Sequence, residues 1–247
     1  MIKVAKYLKR LNVKKEVQAD LASLAYLQNQ HLLTVPFENL DVMNKVYIPL
    51  AVDTFYQKIV ENQRGGFCYE LNGLFQWLLN QLGFASFLSG ATLYRGEGAW
   101  GRPQSHAVQI VHLDQPYLVD VGFGNSARTP LPFNGETRKD VSGLYRLIQG
   151  EGGYYHKQRK EKGAWRTLYR FKNKEMKLFE FKEACHRVQT SPDSHFTQRL
   201  LVTIATETGR KTLAKNTLTI TEREQVKKIE VGAKDIPELL KTEFGLN

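Results

Sequence analysis

The stretch CYELNGLFQWLLNQLGFASFLSGATLYR, Cys68–Arg95, changes its period in the middle. Up to Leu82 the apolar residues Leu71, Leu74, Phe75, Leu78 and Leu82 recur at three- and four-residue steps, so they share one face of a helix. Gly83 follows, and glycine suits the position just past a helix end. From Phe84 the chain breaks into short runs rich in Val, Ile, Tyr and Phe: FASFLSGATLYR, HAVQIVHL, YLVDVGF, GLYRLIQ, GGYYHKQR and AWRTLYRF. Turn residues (GEG, DQP, FNGE, GEGG, EKG) separate them. A helical part therefore gives way at Gly83 to a mostly antiparallel sheet or barrel of roughly six strands.

Upstream, Val17, Leu21, Leu24, Leu27 and His31 fall on one helical face, and Pro36 in TVPFENL interrupts that pattern. A further helix is expected over Val52–Glu61. Downstream of Ser191–Ser194 the tail is mixed. HFTQRLLVTIAT begins as helix and ends as strand, NTLTITE reads as strand, and DIPELLKTEFG as a terminal helix. The class is α+β, with subdomains expected at 1–83, 84–190 and 191–247, and no repeats or low-complexity runs.

The apolar fraction of 42% supports a sizeable core, and two cysteines are too few for a disulfide framework. No apolar run reaches the roughly 18 residues of a membrane span. The basic amino end MIKVAKYLKRLNVKK lacks the apolar stretch of a secretory leader, so the reducing cytoplasm is the expected compartment. The net charge is +10, and residues 136–187 hold 14 Lys and Arg against 7 Asp and Glu. Much of that charge alternates with apolar residues, as in AWRTLYRFKNKEMKL, which reads as solvated strand faces. A nucleic-acid-binding module is the non-enzymatic alternative, but no binding motif accompanies the charge.

The chemistry concentrates in QRGGFCYELNG, Gln63–Gly73. Gly65 and Gly66 permit backbone geometry that side chains forbid, and Cys68 opens the helix directly after them. The positive helix end and its free N–H groups favour a thiolate and offer an oxyanion site. Such a nucleophile needs a base, and the base needs an orienting group. His106 heads the strand HAVQIV after the flexible stretch GEGAWGRPQS, with His112 further along the same strand, whereas His31, His156, His186 and His195 sit among polar or amphipathic neighbours and suggest no such role. In YLVDVGFG, Asp120 lies between Val119 and Val121, and a buried carboxylate requires a partner. A hairpin closed by DQP would bring Asp120 to His106 at the end far from the turn. For these residues alone, a structural cysteine and an Asp satisfied by backbone amides stay open as competing readings.

RGGFCYELN resembles the RGGxCxExN signature of arylamine N-acetyltransferases, and four further blocks resemble that family in order: VPFENL, SHAVQIV, VDVGFG and SPDSHF. The resemblance implies a helical N-terminal bundle, a central antiparallel β-barrel and a C-terminal α/β lid, with a cysteine-protease-like triad of Cys68, His106 and Asp120. It implies ping-pong acetyl transfer from acetyl-CoA to an arylamine, arylhydrazine or N-hydroxyarylamine, with no metal. Phe37 and Phe123 would line the acceptor pocket, and Gly124, Asn125, Ser126 and Ala127 would flank the CoA thioester, with Arg128 a weaker candidate. Arg64 and Glu38 would pair to support the site, with Arg10 beside them, and Cys185 would be inert. Among other thiol enzymes, a papain-type protease would carry its His about 130–150 residues past the cysteine, whereas 38 separate Cys68 from His106. A transglutaminase-like enzyme shares the residue order, but this chain lacks a tryptophan beside Cys68.

Overall fold

The computed structural model describes residues 2–223 and 225–246. The first third is helical: α1 (Val4–Arg10), α2 (Leu21–Thr34), α3 (Leu40–Met43), α4 (Val52–Tyr56) and α5 (Cys68–Gln81). Between α2 and α3 lies β1 (Phe37–Glu38). Asp20 caps α2 by accepting the Ser23 N–H at 2.7 Å, so Val17 packs on the core from outside the helix rather than on its face. The helix expected over Val52–Glu61 is α4 continued by a π-turn, Gln57–Glu61. Helix α5 ends where the change of period placed its end, with Gly83 at φ +86°.

His31, in α2, is fully buried and meets the Tyr7 hydroxyl at 3.0 Å. Burial, with the Arg10 charge adding, pushes its imidazole down to about 3. An unfolded imidazole protonates near pH 6.5. His31 therefore contributes stability in full above that pH, and the contribution is lost as pH falls towards 3. Between pH 7 and pH 5 the wild type should lose about 2 kcal/mol that a His31→Gln protein does not. Urea unfolding of both proteins at the two pH values measures this difference.

The sheet of the middle third comprises β2 (Ala85–Gly96), β3 (Ala99–Trp100), β4 (His106–His112), β5 (Pro116–Val119), β6 (Leu131–Pro132), β7 (Arg138–Asp140), β8 (Gly143–Gln149), β9 (Tyr154–Glu161) and β10 (Ala164–Lys172). The six expected segments are β2, β4, β5, β8, β9 and β10. The strands run antiparallel in the order β6-β5-β4-β2-β10-β9-β8-β7, with β3 on β2. Edge strand β6 curls round to contact β8, which makes a nearly closed barrel around Val108, Ile110, Leu118, Tyr145 and Tyr169. Strand β5 stops at Val119, so Asp120 stands just beyond a strand rather than inside one. The reason is local: Asn72 Oδ1 accepts the Val121 N–H at 3.0 Å and the Asp120 carboxylate accepts the Gly122 N–H at 3.1 Å. Those amides are therefore unavailable to the ladder.

Two helices follow, α6 (Lys182–Thr190) and α7 (His195–Gln198), then β11 (Leu201–Thr206), β12 (Gly209–Ala214), β13 (Thr217–Glu222), β14 (Gln225–Glu230) and α8 (Ile236–Phe244). The periodicity of the chain had not marked α6, β12 or β14. Helix α6 buries Ala184 and Cys185 in the core of the helical third. The second sheet runs β1-β11-β12-β13-β14, so the VPFENL segment supplies its first strand, with Phe37 opposite Thr203. No helix among the described residues is long and apolar enough to cross a membrane.

Candidate active site

The start of α5 is held from three sides. Glu70 accepts the Phe67 N–H at 3.0 Å, as a capping carboxylate does. Lys58, in the π-turn, reaches Glu70 at 2.9 Å and Asp41 at 2.7 Å. Arg64 pairs with Glu38 at 2.7 Å and Asp41 at 3.0 Å. Arg10 does not join the carboxylates. It donates to the carbonyls of Ile59 and Thr34 at 3.1 and 2.6 Å, tying the loop to the helices.

Neither Gly65 nor Gly66 adopts a left-handed φ. Their requirement is close approach instead. A Cβ on Gly65 would sit 2.1 Å from the Pro36 carbonyl oxygen, and one on Gly66 would sit 2.8 Å from Glu70. Only glycines let VPFENL and the cysteine loop lie this close, with Gly66 bonded through Glu38 N–H to Gly66 O at 2.9 Å. On the opposite side, a Cβ on Gly122 would meet the Cα of Cys68 at 2.7 Å. Gly65 and Gly66 thus seat the loop before Cys68 on Pro36 and Glu70, while Gly122 packs on Cys68 itself.

Strands β4 and β5 pair as the expected hairpin, with Gln109 opposite Val119. His106 Nε2 meets Asp120 Oδ2 at 3.0 Å, and both are buried. Asn72, one helical turn after Cys68, donates to Asp120 Oδ1 at 3.1 Å and to the Ala107 carbonyl at 2.7 Å. This single side chain registers the nucleophile's helix against the hairpin. Tyr169 donates to Asp120 Oδ2 at 2.7 Å, and the Lys157 ammonium lies 3.6 Å from the same oxygen. A β-bulge between Thr167 and Tyr169 shifts the pairing of β10 with β9 and sets Tyr169 opposite Lys157.

Burial raises the Asp120 carboxyl, but the charges of His106 and Lys157 and the hydrogen bonds from His106 and Tyr169 outweigh it and hold it well below the usual range. Lys157 itself is buried, donates to Ser126 Oγ, and lies over the rings of Phe123 and Tyr169 at 5.5 and 5.1 Å. Burial pushes its ammonium down, opposed by Asp120 and Asp140. The expected solvated basic face of β9 is therefore wrong at Lys157, which points into the barrel. Burial also pushes the Cys68 thiol up, and the amides of Ala107 and Tyr69 offset only part of this. Burial therefore works against the lowering that the helix terminus favours. Ionisation there needs the thiol proton to pass to a base, and His106 is the imidazole at the same cavity.

That cavity, about 270 Å³, is lined by Cys68, His106, Phe37, Phe123, Phe196 and Thr203, among others. Gly124 and Asn125 also line it. Ser126 and Ala127 do not, because Ser126 Oγ faces Lys157 and the Ala127 carbonyl accepts the Gln28 amide at 3.0 Å. Arg128 turns away too, donating to Ser142 Oγ at 2.9 Å and to the Thr206 carbonyl at 2.6 Å. Cys185 is buried in α6 and takes a hydrogen bond from Gln189 at 3.1 Å. Among the described residues no group of three His, Cys, Asp or Glu side chains is placed to hold a metal ion.

Asn72 was within reach of sequence reasoning, since it stands four residues after Cys68 on the same helix. Lys157 and Tyr169 arrive from strands far along the chain. The one available signal for Lys157 was Tyr155, two residues earlier on the same strand face.

A family model described as N-acetyltransferase matches residues 20–247. The arylamine N-acetyltransferase of Mycolicibacterium smegmatis is 32% identical over 87% of this chain and 80% of its own length. The pineal gland isozyme NAT-10 of Gallus gallus is 30% identical over 92% of this chain and 88% of its own. Among solved structures, a Bacillus cereus arylamine N-acetyltransferase described as having a Cys-His-Glu catalytic triad superposes with TM-score 0.92, at 28% identity over the whole of both chains. The Mycobacterium marinum enzyme in complex with CoA gives TM-score 0.92 at 29% identity, over 99% of this chain and 93% of its own. With Cys68 and His106 at one cavity and Asp120 bonded to His106 behind it, the chain belongs to the arylamine N-acetyltransferases, acyltransferases that act through a catalytic cysteine triad.

Proposed function

We propose that the protein transfers an acetyl group from acetyl-CoA to an arylamine, arylhydrazine or N-hydroxyarylamine through an acetyl-cysteine at Cys68. The observation that carries this reading is the 3.0 Å contact of His106 Nε2 with Asp120 Oδ2 at the wall of the cavity that Cys68 opens into. With Nε2 committed to Asp120, Nδ1 is the ring nitrogen left to exchange a proton with the thiol.

In the first half-reaction the Cys68 proton passes to His106 and the sulfur attacks the thioester carbonyl carbon. The tetrahedral intermediate collapses with loss of CoA, whose sulfur takes the proton back from His106. In the second, the amine nitrogen attacks the acetyl carbon, His106 accepts a proton from that nitrogen, and the Cys68 sulfur leaves and is reprotonated. Asp120 stabilises the imidazolium in both halves, with Lys157 and Tyr169 keeping that carboxylate ionised. Attack and departure are both sulfur chemistry of similar energy in the first half, so positioning supplies most of the acceleration.

Phe37, Phe123 and Phe196 supply the apolar walls an aromatic acceptor requires, and Gly124 and Asn125 are the members of the 124–127 loop that flank the thioester. Residues 1–83 would act as the unit carrying the nucleophile, 84–190 as the unit carrying His106 and Asp120, and 191–247 as the lid. The cytoplasm, where acetyl-CoA is made and thiols stay reduced, is the compartment this chemistry fits. Initial rates measured over a grid of acetyl-CoA and arylamine concentrations test the reading. Parallel double-reciprocal lines are expected, and lines that intersect would mean a ternary complex without the acetyl-cysteine.

A further inference from the structure

A second cleft, about 560 Å³, opens between the end of the barrel and the second sheet. Barrel strands supply Arg159 and Lys160 from β9, sheet strands supply Arg210 from β12 and Arg223 just after β13, and Arg128 closes the floor. Asn125 lines both this cleft and the catalytic cavity, so the two are neighbours.

The charge inside is poorly balanced. Arg210 is only 9% exposed; its Nη1 donates to Thr203 Oγ1 at 3.1 Å, and its Nη2 is buried without a hydrogen-bond acceptor among the described residues. Arg159 donates to the Ser142 carbonyl at 2.9 Å through Nη2, while its Nε is likewise unpaired. The carboxylate nearest Arg159 is Glu161, at 3.9 Å. Asp140 also faces the cluster, but its oxygens accept the backbone N–H groups of Arg128 and Ser142 at 2.5 and 2.7 Å. Glu207 adds a third negative group beside Arg128. No ion pair within 4.0 Å joins Arg128, Lys160 or Arg210 to a carboxylate among the described residues. Burial, with the adjacent Arg128 and Arg159 adding, pushes the Arg210 guanidinium down to about 10, and the charge of Asp140 offsets only part of this.

A buried guanidinium with an unused donor costs free energy that a bound anion would recover. Guanidinium forks match the tetrahedral oxygens of phosphate, and a buried Arg210 beside a partly exposed Arg159, with a lysine and an arginine at the mouth, is an arrangement that captures it. We propose that this cleft binds a phosphate-bearing anion, its oxygens held by Arg159 and Arg210 inside and by Lys160 and Arg223 at the rim. The phosphates are either those at the nucleotide end of the acyl donor or free phosphate. In the first case the assignment rests on the acetyl-CoA reading; in the second it stands apart from it.

The test is calorimetric titration of the full chain with inorganic pyrophosphate and, separately, with CoA. Each titration is repeated on a Lys160→Ala/Arg223→Ala protein, whose changes fall at exposed rim positions. Pyrophosphate should bind the wild type, weaken as salt is raised, and bind the variant at least about tenfold more weakly. If CoA weakens in the variant and competes with pyrophosphate, the donor is the source of the phosphates; if CoA binding is unchanged while pyrophosphate weakens, the ligand is a free phosphate. Absence of pyrophosphate binding, or equal binding to both proteins, overturns the site. Acetylation of wild-type Cys68 by p-nitrophenyl acetate, which carries no phosphate, reports on the thiol alone, and its failure would count against the acetyl-transfer reading while leaving the cleft untouched.

Discussion

A Cys68→Ala protein should fold as the wild type does and lose acetyl transfer by roughly 10⁴-fold or more. The side chain is buried, but removing one sulfur empties little volume, and the local cost is about 1 kcal/mol. What the variant loses is the thiol sulfur at the cavity, the atom proposed to carry the acetyl group. Cys185, the other thiol, is buried in α6, bonded to Gln189, and does not line the cavity of Cys68 and His106. Turnover within about tenfold of wild type in this variant, with a native near-ultraviolet dichroism spectrum, would remove Cys68 as nucleophile.

Asp120→Asn should be the second most damaging change, and it should damage two properties separably. Asp120 Oδ1 accepts from Asn72 and Gly122, and Oδ2 accepts from His106 and Tyr169 with Lys157 beside it. An asparagine has one acceptor oxygen. Whichever way its amide is turned, a donor faces donors, and turning the oxygen towards Asn72 sets the His106 tautomer wrongly. A loss of about 10³–10⁴ in kcat follows from that. The same change leaves the Lys157 ammonium buried without its carboxylate, at a cost of about 3–5 kcal/mol in stability. Combining Asp120→Asn with Lys157→Met removes the stranded cation, so urea unfolding should recover most of the stability while kcat stays low. Recovery of both together would mean that Asp120 serves only to neutralise Lys157.

The pattern of residues carried the fold as far as local rules reach. The helix from Cys68 to Gln81, its stop at Gly83, the six main barrel strands and the hairpin of β4 on β5 all follow from period and turn chemistry. The second sheet was legible only in part. Strand β1 pairs with β11 across 165 residues of chain, Thr203 facing Phe37, and no short-range pattern encodes such a pairing. Within the site, Cys68, His106 and Asp120 stood out because each residue type is costly or unusual in its local setting. The thiol's chemistry did not. A helix terminus argues for a lowered pKa, yet the depth of Cys68, 4% exposed, is a property of the whole fold and acts the other way. Lys157 was hidden by the same blindness: among the alternating charges of β9, only the closed barrel and the bulge at Leu168 decide which face points inward.

The central claim is that Cys68 holds the acetyl group between two substrates. Mixing the wild-type protein with acetyl-CoA alone and weighing it intact should show a gain of about 42 Da, one acetyl group, that disappears on adding an arylamine. Peptide mapping should place that mass on Cys68. An unmodified protein that nonetheless turns over both substrates, or an acetyl group found on Cys185, would contradict the account.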